Sequence, residues 1–71
     1  DVEVTLENVS DIIDIISRGI HDIDMIYGET EFRDDMLRKT LKVIDDIVAK
    51  EPEFKIRFEN IRDKIERKLN R

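Results

Sequence analysis

Cysteine is absent from the chain, which excludes a disulfide framework and any thiolate metal site. A single proline, Pro52, and two isolated glycines, Gly19 and Gly28, leave few places where a regular element can break, and isolated glycines cannot form a phosphate-cradling loop. No apolar run approaches the roughly 18 residues needed to span a bilayer. The start DVEVTLE is acidic where a signal peptide would be basic. Neither a membrane-spanning nor a secretory reading is expected, and the compartment stays open between cytoplasmic and recombinant. With 71 residues the chain makes one domain, near the size at which a single core barely offsets the entropy of ordering the backbone.

What is present is a 3-4-3-4 ladder of apolar residues: Leu6, Val9, Ile13, Ile16, Ile20, Ile23 and Tyr27. That period belongs to an α-helix with one buried stripe and has no strand equivalent. Thr5 is placed to cap the helix at its start and Gly28 to close it with a left-handed residue. The helix is expected over about 6–27, preceded by a short arm, 1–4. Thr30 caps a second helix over about 31–49 with Phe32, Met36, Leu37, Leu41, Ile44, Ile47 and Val48 as its apolar set. Pro52 suits the first position of a third, over about 52–70, whose seam is Phe54, Phe58, Ile61, Ile65 and Leu69. Connections this short make neighbours antiparallel. The expected fold is an all-α, up-down-up three-helix bundle spanning 1–71.

Charge is unevenly distributed. Residues 1–31 carry nine acids against Arg18 alone, and residues 32–71 carry twelve bases against nine acids, within a net charge of −5. An acidic first helix can pair with the more basic helices inside one bundle, or offer an acidic surface to a partner. Five acid-to-base pairs stand four residues apart in the favourable order: Asp34 to Arg38, Asp35 to Lys39, Asp46 to Lys50, Glu53 to Arg57 and Asp63 to Arg67. Each is expected to support its helix by about 0.2–0.5 kcal/mol.

Projection at about 100° per residue gives apolar arcs of roughly 160° and 180° on helices 1 and 2 but only about 80° on helix 3. A simple bundle asks for more even shares, so helices 1 and 2 are expected to hide part of their width elsewhere, most economically in a homodimer. The candidate edge is Ile12, Ile15, Gly19 and Ile26, where an interior glycine points to close helix packing. Ile15, Met25 and Ile56 fall outside their arcs and should be exposed.

Chemistry is scarce. His21 and Asp24 make two candidate ligands where zinc wants three or more protein ligands. Asp34/Asp35 and Asp45/Asp46 are adjacent on a helix, so each pair points about 100° apart, and bases one turn on account for them. Ser10 and Ser17 have no base or oxyanion donor in the pattern. No catalytic activity, cofactor, metal or small-molecule substrate is expected. Lys55, Arg57, Arg62, Lys64, Arg67, Lys68 and Arg71 give helix 3 a basic character that a phosphate backbone could use, against interleaved acids and a pI of 4.8.

Minimal loops, threonine caps before helices 1 and 2, proline opening helix 3, ordered charge pairs and the lack of cysteine, tryptophan and glutamine resemble a computationally designed three-helix bundle. Twelve isoleucines against four leucines and a single alanine depart from that pattern. The resemblance implies a designed protein whose role is to fold; the wide arcs of helices 1 and 2 add the expectation that it self-associates through them. Two alternatives are a natural interaction module using helices 1 and 2 or the acidic face of helix 1, and nucleic-acid binding through helix 3.

Overall fold

The computed structural model describes residues 3–70. Among them three α-helices follow one another: α1, Val9–Tyr27; α2, Glu31–Lys50; and α3, Lys55–Leu69, entered through a 3-10 turn at Pro52–Phe54. Helix α2 packs against both others. The ends of α1 and α3 meet in the same order, Arg57 donating to Ser10 at one end and Lys68 to Asp24 at the other. The bundle therefore runs up, down and up, as expected.

The helix boundaries follow from their caps. Thr30 Oγ1 accepts from the Arg33 N–H at 3.1 Å, satisfying one of the free donors at the start of α2. Gly28 closes α1 with φ 57°, its N–H donating to the Asp24 carbonyl, a backbone conformation that favours glycine. At the other end α1 opens at Val9, three residues later than the expected Leu6. Thr5 caps the turn before it: the Thr5 N–H donates to Asn8 Oδ1 at 2.7 Å and the Asn8 N–H to Thr5 Oγ1 at 3.2 Å. This is the reciprocal capping box with asparagine in the place usual for glutamate, wound into a turn ahead of the regular helix. The third segment likewise divides, its first three residues tightening into the 3-10 turn and the α-helix ending at Leu69. Helix α2 extends one residue beyond the expected Ala49.

The core is built from Val4, Val9, Ile20, Leu37, Ile44, Phe54, Phe58, Ile61 and Ile65, with Ile12, Ile13, Ile16, Leu41, Ile47, Val48 and Leu69 packed around it. The seam of the third segment is buried from Phe54 to Ile65, with Leu69 packed against the core at its end. Three parts of the reading need correction. Leu6 is 81% exposed, because the capping turn swings it out of the ladder. Tyr27 and Phe32 are also exposed and stack edge-on across the α1–α2 connection, their ring centroids 4.7 Å apart at 62°. Val4, left outside every expected apolar set, is buried in the core; Asp1 and Val2 lie outside the described residues. Ile15, Met25 and Ile56 are exposed, as their positions off the arcs predict.

Gly19 is not closely packed within the chain: a Cβ built on it meets no atom within 4 Å. A methyl group fits there, and alanine orders less backbone on folding. Gly19→Ala is expected to stabilise the fold by about 0.5–1 kcal/mol, raising Tm by about 2–8 °C. A calorimetric scan at high dilution checks this; a lower Tm would mean the position is already crowded.

Candidate association surface

Helix α3 covers one side of the α1–α2 pair. On the other side the two helices leave an open hollow of about 810 Å³, walled by Val4, Ile12, Ile15 and Ile16 from one strand of chain and Val43, Ile47 and Ala49 from the other, with Asp46 and Lys50 at its rim. Both walls follow from helical spacing. Ile12, Ile15 and Ile16 recur at i, i+3 and i+4, as do Val43 and Ile47 one turn apart. Their stripes are wider than α3 and the opposite helix can jointly cover, so the outer edge of each stays in water.

Of the four edge residues, Ile12 and Ile15 stand on the wall of the hollow, the first half-buried and the second exposed. Gly19 is half-buried one turn further along, and Ile26 lies beyond it, 71% exposed. By the 100° step all four fall on one side of α1. On α2 the matching side carries Phe32, Met36, Val43 and Ile47. Val43 stands outside the apolar set expected for α2, although its spacing from Ile47 and Met36 would have placed it there. Val4 was hidden by its position in an arm.

At the opposite end of the bundle, where α1 and α3 finish, the three helices are joined by an ion cluster. Arg33 donates from Nη1 to Asp24 Oδ1 at 2.6 Å, from Nη2 to Asp34 Oδ1 at 3.0 Å and from Nη2 to the Lys68 carbonyl at 3.1 Å. Lys68 Nζ completes it, donating to Asp24 Oδ2 at 2.8 Å. The Arg33 and Asp34 side chains are 5% and 8% exposed. Lys68 first, and then Arg33, holds the Asp24 carboxyl below its usual range by hydrogen bonding to its charged form, and Asp24 and Asp34 in turn raise Arg33 further. The cluster pins all three helices with charge-assisted bonds.

Elsewhere, the acids take partners that differ from the expected acid-to-base order. Asp35 bonds Arg38, Asp46 bonds Lys42, and Asp45 bonds Arg62, which also reaches Glu66. Asp45 raises the Arg62 guanidinium above its ordinary value. Pairs worth a few tenths of a kcal/mol yield readily to partners on another helix. His21 is exposed beside Asp22, while Asp24 faces the cluster, so the two candidate ligands diverge. Among the described residues no group of three or more histidine, aspartate or glutamate side chains is placed to hold a metal ion. The paired aspartates are likewise taken up separately. On α3, Arg57 is engaged by Ser10, Arg62 by Asp45 and Glu66, Arg67 by the Asp63 carbonyl and Lys68 by Asp24; Arg71 lies outside the described residues. No described helix is long and apolar enough to cross a membrane. No protein-family model matches the chain, and no curated protein or solved structure matches it.

Proposed function

We propose that this chain is a non-catalytic association module, a small helical bundle that folds on its own and pairs with a second copy through the open side of α1 and α2. One observation carries the reading: the apolar wall from Ile12 to Ile47 is continuous, lies opposite α3, and has a concave centre flanked by the protruding side chains of Ile15 and Val43. Knobs beside a hollow on one surface are what a two-fold contact needs, since each copy must supply both. The resemblance to designed three-helix bundles accords with such a role, in which folding and pairing are the whole of the chemistry. The alternative reading of α3 as a nucleic-acid helix has less to stand on, with four of its bases engaged within the bundle.

Sedimentation equilibrium across a concentration series tests the proposal. The parent is expected to approach twice the chain mass, and Ile15→Glu to remain a folded monomer, because a carboxylate at an exposed site costs the monomer little and the apolar contact much. A parent that stays monomeric at millimolar concentration would overturn it.

A further inference from the structure

Resting on that reading, we infer how the second copy sits: its α1 lies over this chain's α2, acid against base, about a two-fold axis running along the helices. The rims of the open side carry the argument. On α1 the residues next round the helix from Ile15 are Asp11 and Asp22, both within about 40° of it at 100° per residue. On α2 those next to Val43 on its outer side are Lys50 and Lys39, again within about 40°. All four are exposed. One rim is therefore acidic and the other carries two lysines to one acid: Arg18 lies beyond the acids, and Asp46 stands beside Lys50 at the edge of the hollow, where Lys42 holds it at 3.3 Å.

Height along the bundle agrees. Ile12 and Ile15 share the hollow with Ile47 and Val43, and Tyr27 meets Phe32 at the connection, which fixes the levels of two antiparallel helices. Stepping about 1.5 Å per residue from these points brings Asp11 within about 3–4 Å of the level of Lys50, and Asp22 equally near that of Lys39. A two-fold axis along the helices keeps every level unchanged and exchanges α1 with α2 across the contact. Asp11 of each copy then faces Lys50 of the other, and Asp22 faces Lys39, giving four pairs. An axis perpendicular to the helices lays α1 on α1 and α2 on α2. That sets acids against acids and lysines against lysines, which disfavours it. One turn before Asp22, the open space at Gly19 leaves room for the other copy's α2 to approach closely.

Charge reversal distinguishes the arrangements by sedimentation equilibrium at low salt, with circular dichroism confirming that each variant is folded. Lys39→Glu with Lys50→Glu, and separately Asp11→Lys with Asp22→Lys, are each expected to weaken the dimer about tenfold or more. Both should weaken it although they move the net charge in opposite directions. All four substitutions together are expected to bring the dissociation constant back to within about threefold of the parent's. A parent dimer unmoved by either pair, or a fourfold variant no tighter than the pairs, would overturn this arrangement and leave self-association standing. A monomeric parent would overturn both.

Discussion

Phe58→Ala is expected to lose about 3–5 kcal/mol of folding free energy, the cost of removing a buried ring and leaving its cavity. A domain of this length holds roughly 4–10 kcal/mol in all, so the loss takes about a third of it or more. The ring is 1% exposed and sits where α3 meets α2, beside Val48 and beneath the Asp45–Arg62 bridge. Little can slide in to fill the space, because Leu37, Ile44 and Ile65 around the core are already fully buried. Two residues earlier, Ile56 is 78% exposed, and Ile56→Ala should change stability by no more than about 0.5 kcal/mol. Urea titration followed by circular dichroism measures both. Equal midpoints for the two variants would sink this packing.

Arg33→Ala is expected to cost about 3 kcal/mol, the low end for breaking a buried ion pair, and to lower Tm by roughly 12–24 °C. The low end applies because the partners are unevenly buried: the Asp24 and Lys68 side chains keep 32% and 29% of their surface in water, while Asp34 has little. Arg33→Lys should fall between the parent and the alanine variant, since it keeps a charge but cannot reach Asp24, Asp34 and the Lys68 carbonyl with one planar fork. The pH dependence should change too. Asp24 titrates below its unfolded value, so its contribution is complete above that value, near pH 4, and fades as the pH falls through its folded pKa. Removing Arg33 takes away part of that depression, and the acid limb of stability against pH should become shallower. A variant melting within a few degrees of the parent would mean the cluster is solvated in practice and carries no net weight.

Legibility in the sequence tracked the width of the apolar stripe. On the 3-10 turn and α3 the five seam residues Phe54, Phe58, Ile61, Ile65 and Leu69 leave no choice of face, and each is inside or packed against the core. On α1 and α2 there are more apolar residues than one side of a helix can bury, and periodicity cannot say which will be left out. The geometry of neighbours decides that. Ile20 is buried, while Ile26, about 120° round the helix on the open side, is left in water. The ion cluster was illegible for a different reason. Arg33 reads as a solvated residue in a first turn, and only the approach of Lys68, 35 positions later, encloses it. Contacts of that separation have no local signal in the chain. The hollow itself was half legible: its α1 wall coincides with Ile12 and Ile15, whereas Val4 and Val43 joined it through the seating of the capping turn and the pitch of α2.

Three is an odd number of helices, and that sets how the chain can be connected to anything else. Residues near Val4 lie beside Lys50 at one end of the bundle, and Lys68 lies beside Asp24 and Arg33 at the other. The long axis spans 34 Å, so a linker closing the chain into a ring would need about ten residues in extended form. A two- or four-helix bundle would return its ends to one side and could be inserted into a loop of another protein. Here the first and last described residues stand at opposite ends of the bundle, separated by its length.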